Sequence, residues 1–372
     1  MTALTVAFRV DANADIGTGH WMRCRTLALA LQAHGAQAAF ISREPPPALA
    51  GELEPHRIPL LRLPPAPDRR RPEAGSPPHA AWLAEAPERD AELTAHRVAT
   101  RFGVADCLIV DHYGIDARWH RIARRSCRTL MAIDDLADRS LDVDLVLDQA
   151  YREDGRDYLP WLQAPAEVLP GIRHALLRPE YRRLRDEALS RRAHAAGMRR
   201  VLVSFGGVDA ANHTETALSV LDAATAPLQI DVVLGAAAAH RQAVLRHAAR
   251  HRHPVSVSEA VSDMAVRMMQ ADLAFGACGF TAWERCCLGL PSIAIAAADN
   301  QLAAAQALRA AGAALIVAGD RPAETGMAEA WRQLSEDSAR RRALTRAAAA
   351  ACDGRGSERT VRKLLERQAL AR

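Results

Sequence analysis

Short apolar runs recur along the chain, and segments long enough to form helices separate them. In the first half these runs are residues 4–10, 36–41, 107–110, 129–133 and 145–147. In the second half they are residues 201–205, 230–234, 255–257, 273–275, 292–296 and 314–317. Runs of this length, bounded by glycine or acidic residues, are typical of strands buried on both faces of a parallel sheet. Their alternation with helices predicts the α/β class.

The alternation occurs twice, and a charged segment at 176–192 that predicts a connecting helix lies between the two series. A chain of 372 residues is long for one hydrophobic core and suits two domains. We therefore expect two Rossmann-like domains that face a cleft, residues 1–172 and residues 173–372. The second is expected to include the linker helix and the carboxyl-terminal helices. Because ligands of parallel α/β sheets bind at the carboxyl ends of the strands, we expect the active site in that cleft.

One segment of the first half has an unusual composition. Residues 42–78 contain eleven of the twenty prolines. Because proline has no backbone N–H to donate to a sheet, this segment predicts loop or extended chain. No function follows from the composition of this Pro-rich segment.

A glycine turn follows the first predicted strand and leads into a helix. It reads Gly17-Thr18-Gly19-His20. A strand, a glycine turn and a helix together present backbone N–H groups to an anion. His20 lies at the helix amino terminus, where partial positive charge disfavours imidazolium, so a neutral imidazole there is a candidate general base. A tight turn whose histidine caps the helix or packs in the core fits the same pattern.

Similar turns follow two strands of the second half. Their residues are Gly206 and Gly207 after one strand, and Gly276, Gly279 and Thr281 after another. Backbone N–H groups in such turns can face a phosphate. Glu284, one turn into the following helix, is a candidate acceptor for ribose hydroxyls. The alternatives are plain strand-to-helix connections and, for Glu284, an acid that complements the helix dipole.

Polar residues gather after several other strands. The clusters are Asp111-His112-Tyr113, Asp134-Asp135 and Asp299-Asn300-Gln301. Amide side chains such as Asn300 and Gln301 can bind a nucleotide or a sugar, or Asn300 can simply cap a helix. The acidic clusters fit either a site or a pair that stabilises a loop. Further candidates for the pocket are Asp11, Arg23 and Tyr113.

Composition narrows the classes of function. The net charge is +4, Lys363 is the only lysine, and no dense basic run with interleaved aromatics occurs, so we expect no nucleic-acid partner. No run approaches the roughly eighteen apolar residues of a membrane span. The seven cysteines contain no Cys-x-x-Cys pair, and no histidine accompanies the group Cys278, Cys286 and Cys287, so the sequence predicts neither a disulfide framework nor a zinc site. We expect a cytoplasmic protein with no metal and no cofactor, and the oligomeric state stays open, a monomer included.

Taken together in their order, several blocks resemble one family. The amino-terminal blocks are FRVDANADIGTGHWMRC at 8–24, IVDHYGIDARW at 109–119, IDDLADR at 133–139 and LVLDQ at 145–149. The later blocks are ALLRPEY at 175–181, VLVSFGGVDAAN at 201–212, VSDMA at 261–265, WERCCLGLPS at 283–292 and ADNQ at 298–301. The chain resembles, over most of its length, the UDP-2,4-diacetamido-2,4,6-trideoxy-β-L-altropyranose hydrolases of pseudaminic acid biosynthesis.

The resemblance implies a GT-B, MurG-like fold and a reaction in which water attacks the anomeric carbon of a UDP-sugar and UDP leaves, without a metal. It implies that His20 is the general base, that the glycine turns of the second half bind UDP, and that Glu284 lies where related enzymes hold the ribose. Attack from the face opposite UDP implies inversion. The alternatives are a GT-B glycosyltransferase or 2-epimerase that acts on a UDP-sugar, and an inactive protein that binds nucleotide sugars.

Overall fold

The computed structural model describes residues 3–370 except 14, 67–74, 151, 153, 195–196, 299–300, 318 and 320–321. The chain forms two α/β units. The first is Met1–Leu177 together with Arg355–Arg372, and the second is Arg178–Gly354. The expected boundary at 172/173 therefore lies five residues too early, and the expected second domain wrongly includes the last helix.

Within the described residues, a seven-stranded parallel sheet forms the centre of the first unit. Its strands are β1 (Thr5–Val10), β2 (Gln37–Ser42), β3 (Leu60–Arg62), β4 (Ala105–Asp111), β5 (Cys127–Ile133), β6 (Leu145–Leu147) and β7 (Glu167–Leu169). They are ordered β3-β2-β1-β4-β5-β6-β7. Because β1 and β4 are neighbours, with Val10 opposite Asp111, the loops that follow these two strands start side by side.

The sheet of the second unit has six parallel strands in the part of the chain that is described. They are β8 (Arg200–Ser204), β9 (Gln229–Leu234), β10 (Val255–Glu259), β11 (Leu273–Ala277), β12 (Ser292–Ile295) and β13 (Leu315–Val317). Their order is β10-β9-β8-β11-β12-β13. The topology reverses between β8 and β11, the place where ligands of such sheets bind. The six apolar runs predicted for this half all form strands.

Helices connect the strands in both units. Those of the first unit are α1 (Gly19–Gln32), α2 (Pro47–Gly51), α3 (Pro87–Phe102) and α4 (Ala117–Ala123). Those of the second are α5 (Pro179–Ala193), α6 (His213–Asp222), α7 (Arg241–Ala248), α8 (Met264–Gln270), α9 (Thr281–Cys287), α10 (Leu302–Ala310), α11 (Ala323–Glu336) and α12 (Ser338–Ala351). The chain ends in α13 (Gly356–Leu370). No helix of the described residues combines the length and apolar character needed to cross a bilayer.

Both faces of the first sheet are covered, as the apolar runs predict. Along β1, Phe8 points into one hydrophobic cluster and Ala7 into the other. Helix α13 packs on α1 and contributes Val361 and Leu364 to the cluster of Phe8. Burying each of these two side chains contributes roughly 1.5–3 kcal/mol. This apolar contact explains why the last helix belongs to the first unit.

The Pro-rich segment is more regular than its composition predicts. Its described part contains β3 at the sheet edge and α2, and it leads into a 3-10 turn at Pro78–Trp82. That turn carries His79 and Trp82, which lie beside the candidate active site described below.

Candidate active site

The turn after β1 leaves the start of α1 accessible. Asn13 holds the turn, because its side-chain oxygen accepts two backbone N–H groups and its carbonyl accepts the N–H of Gly17 at 2.8 Å. Gly17 has φ +77°, a conformation that favours glycine. No atom lies within 4 Å of where a Cβ would stand on Gly17 or Gly19. The two predicted glycines therefore border open space, and His20 follows them as the second residue of α1.

His20 is paired with a carboxylate from the neighbouring strand. Its Nδ1 lies 2.5 Å from Oδ1 of Asp111, the last residue of β4, whose side chain is fully buried. Burial by itself would raise the pKa of Asp111, but Arg23 and then His20 outweigh it and hold that pKa below its usual range. Asp111 is therefore ionised, and an ionised carboxylate only accepts hydrogen bonds.

The contact with Asp111 determines which tautomer the neutral imidazole adopts. Nδ1 donates to Asp111, so in the neutral ring the lone pair is on Nε2. The contacts of His20 with the described residues use Nδ1, and Nε2 makes no hydrogen bond to them. His20 as a whole is only 8% exposed. The Asp111 carboxylate at Nδ1, and not the helix terminus alone, therefore sets the tautomer and orientation of the His20 ring.

Arg23 connects His20 to a second acidic residue. It lies one turn after His20 and donates to Asp111 through Nε at 2.6 Å and through a terminal nitrogen at 2.7 Å. Its other terminal nitrogen pairs with Asp135. The hydroxyl of Tyr113 donates to the same Asp135 oxygen at 2.7 Å. The predicted residues His20, Arg23 and Tyr113 are thus brought together, and the two aspartates join them.

Aromatic rings border this network. Tyr113 meets the edge of the His20 ring with centroids 4.5 Å apart, and Trp82 stacks on Tyr113 at 5.7 Å and 21°. His79 contacts both Trp82 and Tyr113. Trp82 is only half-buried, so it offers an aromatic surface next to His20. The sequence does not identify Trp82 as a site residue, because its place in the site depends on the 3-10 turn Pro78–Trp82.

Asp11 does not join the His20 network. It accepts from Arg9 at 2.8 Å, from the Ser42 hydroxyl at 3.0 Å and from the backbone of Arg43 at 2.8 Å. Arg9 and Arg43 both pair with the buried Asp90 at 2.9 Å. These contacts tie together β1, the end of β2 and α3. They use the oxygens of Asp11 for structure, so among the described contacts it touches neither His20 nor Arg23.

The glycine turns of the second unit differ from one another. Gly206 has φ +90° and open space where a Cβ would lie, and Gly207 is also exposed. Asp209 closes this turn by accepting the N–H groups of the first two residues of α6. The turn after β8 therefore leaves its two glycines accessible, and the hydrogen bonds of Asp209 to the start of α6 hold its conformation.

The turn after β11 is closed on one side. A Cβ on Gly276 would lie 2.6 Å from the guanidinium of Arg285 and 2.8 Å from the carbonyl of Ser204, so this glycine makes room for Arg285. Gly279 has Gln301 as its neighbour, 3.5 Å from a Cβ position. The predicted Thr281 begins α9, a helix of only seven residues. Asn300 lies outside the described residues.

Glu284 lies inside the second unit and is 7% exposed. Burial raises its pKa to about 7, although Arg178 and the hydroxyl of Tyr181 favour the charged form. An acid that titrates near neutrality suits either a ligand contact or a structural position. The described residues contain no group of three or more His, Cys, Asp or Glu side chains placed to share a metal ion.

Comparison with known proteins gives one distant relative in sequence. No protein-family model matches the chain. It is similar to the spore coat polysaccharide biosynthesis protein SpsG of Bacillus subtilis (strain 168), with 28% identity over 160 residues. The aligned part is 42% of this chain and 45% of that protein, so less than half of the relative is matched.

Solved structures are similar over nearly the whole chain. MurG of Acinetobacter baumannii has a TM-score of 0.69 at 17% identity, covering 98% of this chain and 100% of that one. The UDP-GlcNAc 2-epimerase of Neisseria meningitidis, solved with UDP-GlcNAc, has a TM-score of 0.63 at 14% identity, with 98% and 100% covered. CalG4, the calicheamicin glycosyltransferase, has 0.62 at 13%, with 99% of both chains covered. The fold is therefore GT-B, with two Rossmann-like domains, and the predicted fold class is confirmed.

Proposed function

We propose that the protein hydrolyses a UDP-linked 2,4-diacetamido-2,4,6-trideoxy sugar to UDP and the free sugar. The observation that carries this proposal is the buried Asp111 carboxylate on Nδ1 of His20, which leaves Nε2 to accept a proton. Histidine held in this way is a recurrent general base. The family resemblance, the GT-B fold shared with enzymes of nucleotide sugars, and the similarity to a polysaccharide biosynthesis protein all support a nucleotide-sugar substrate.

In the proposed step, a water molecule gives a proton to Nε2 of His20 while its oxygen bonds to the anomeric carbon. The bond between that carbon and the diphosphate oxygen breaks, and UDP leaves with the electron pair. The ionised Asp111 stabilises the imidazolium that forms, and Arg23 keeps Asp111 ionised. Attack on the face opposite UDP inverts the anomeric centre.

The first unit also offers a match to the sugar. The half-buried ring of Trp82, stacked on Tyr113, is an apolar surface beside the base. A trideoxy sugar with two acetamido groups carries methyl groups that such a ring can cover. Trp82 therefore suits a deoxygenated, N-acetylated sugar.

The second unit is proposed to hold UDP. The open glycines Gly206 and Gly207, and Gly279 beside Gln301, are proposed to offer backbone N–H groups to the diphosphate. Glu284 is proposed to accept from the ribose hydroxyls, and Asn300 and Gln301 to contact the nucleotide.

The proposal is tested by incubating the protein with a panel of UDP-linked diacetamido trideoxy sugars and with UDP-GlcNAc, in the absence of any acceptor. Release of free UDP and free sugar from one diacetamido stereoisomer is the expected result. An isomerised UDP-sugar would replace the proposal with a 2-epimerase. Unchanged substrates across the panel would contradict hydrolysis and leave a transferase or an inactive binding protein.

A further inference from the structure

Arg285 is a buried cation at the carboxyl end of β11. It is 3% exposed and lies beneath the 276–281 turn. One terminal nitrogen donates to the carbonyl of Ala277 at 2.6 Å, and the other lies 3.4 Å from the Thr281 hydroxyl. Nε has no acceptor. Within the described residues, no carboxylate forms an ion pair with this guanidinium.

This arrangement differs from that of the buried arginines of the first unit. Arg9, Arg23, Arg43 and Arg139 each pair with at least one aspartate. Burial instead lowers the pKa of Arg285, and no ion pair compensates for it. Burying a charge without a partner costs free energy, so such a cation is expected where an anion arrives during function.

The second unit contains a useful counterpart at the opposite end of the same strand. Arg192 is also buried, and its hydrogen bonds go to the carbonyls of Ala188, Met268 and Ala271. Ala271 precedes β11, whereas Ala277 ends it, so Arg192 lies at the amino end of the strand and Arg285 at the carboxyl end. Only the carboxyl end is where ligands of parallel sheets bind.

We propose that Arg285 is a positioning residue for the diphosphate of UDP, acting as a fixed positive charge beneath the 276–281 turn. The inference rests on the proposed binding of UDP by the second unit. The guanidinium holds the turn through Ala277 and attracts the diphosphate through a region of low dielectric, where Coulomb attraction is stronger than in water. Gly276 is required because any side chain there would collide with this guanidinium.

The test compares the binding of UDP and uridine to the wild type, Arg285→Gln and Arg192→Gln by calorimetry. The glutamine at 285 retains a donor for Ala277 but removes the charge. We expect Arg285→Gln to weaken the affinity for UDP by roughly 10- to 100-fold, the order for losing a charge-assisted interaction. The affinity for uridine should change by less than about 3-fold. Arg192→Gln should bind both ligands like the wild type. Equal losses for UDP and uridine, or no loss for either, would overturn the proposal.

A second variant keeps the proposal testable if Arg285→Gln does not fold. In Arg285→Lys the charge is retained at pH 6, but burial lowers the pKa of a lysine, so the charge is lost at higher pH. UDP affinity should therefore fall at least 10-fold more between pH 6 and pH 9 in this variant than in the wild type. Parallel pH profiles would contradict the role of the charge. UDP binding without any sugar release would reject the hydrolase and leave this inference standing.

Discussion

The carboxyl ends of the two sheets carry opposite chemistry. In the first unit they carry acids, and Asp111 and Asp135 both pair with Arg23. In the second unit they carry glycines and a buried arginine, Arg285. Among the described residues, no acid forms an ion pair with Arg285. The first unit is therefore organised around a proton acceptor whose neighbouring acids already have a cation as partner. The second is organised to receive negative charge from outside.

This difference suggests a division of labour. The contacts of His20 and Arg23 with Asp111 hold the imidazole in one orientation before any substrate binds, so little rearrangement is needed at reaction. Because Arg285 has no ion-pair partner among the described residues, its charge favours the binding of an anionic ligand by the second unit. Catalytic variants are then expected in the first unit and binding variants in the second.

The largest effect is expected for His20→Asn. It should lower kcat by roughly 10²- to 10⁴-fold, the usual contribution of a general base, and leave UDP affinity within a few-fold. The matched control is His34→Asn, since His34 is exposed just beyond the other end of α1. Steady-state turnover and UDP calorimetry measure the two quantities. Turnover like that of the wild type would remove His20 from the mechanism.

A second test asks whether the paired charges of the first unit depend on one another. Asp90→Ala leaves Arg9 and Arg43 buried with less compensation, so the free energy of unfolding should fall by roughly 3–5 kcal/mol. Asp186→Ala, which removes the exposed partner of Arg182, should cost less than about 1 kcal/mol. Denaturant titration measures the free energy of unfolding of both variants. Equal small losses of this free energy would show that the charges of the buried cluster do not depend on one another.

The pH dependence of stability tests the second unit through Glu284. Its pKa rises from 4.5 when unfolded to about 7 when folded. Folding therefore favours the protonated form, and the stability from this group is full below pH 4.5 and is lost as the pH rises through 7. Glu284→Gln should reduce the fall in the free energy of unfolding between pH 5 and pH 8 by up to about 3 kcal/mol. The exposed Glu324→Gln serves as the control, and an unchanged slope in Glu284→Gln would contradict the buried acid.

The smallest effect is expected for the aromatic surface beside His20. Trp82→Ala should raise KM for the UDP-sugar roughly 5-fold, consistent with about 1 kcal/mol for an aromatic contact, with kcat changed less. Trp82→Phe keeps a ring and should retain most of the affinity. A fall in kcat without a change in KM would instead assign Trp82 to the orientation of His20.

The sequence predicts the strands well because an apolar run buried on both faces has few other interpretations. It misses the edge strands β3 and β7, which are three residues long and lie in Pro-rich or polar surroundings. It also misplaces α13, because an amphipathic pattern shows that a helix packs but not on what. Local pattern therefore predicts elements better than their partners.

The candidate site shows the same limit. His20 is recognisable from its turn, yet Asp111 is 91 residues away, and only the adjacency of β1 and β4 brings them together. Asp111 and Asp135 stand out as strand-end acids, but sequence cannot separate a catalytic pair from a loop pair. Arg285 is not among the site residues that the sequence predicts. Its burial depends on Gly276 of β11, where a side chain would collide with the guanidinium, and its terminal nitrogen donates to the carbonyl of Ala277 at the end of the same strand.

Hydrolysis in water enriched with oxygen-18 tests the central claim most directly. The protein is incubated with the UDP-sugar that it turns over, and the products are analysed by mass spectrometry and by NMR at the anomeric centre. The account predicts one heavy oxygen on the anomeric carbon of the free sugar, inverted configuration in the first-formed product, and none in UDP. Heavy oxygen in the phosphate of UDP would mean that water attacks phosphorus, and it would contradict attack on the sugar by a water that His20 activates.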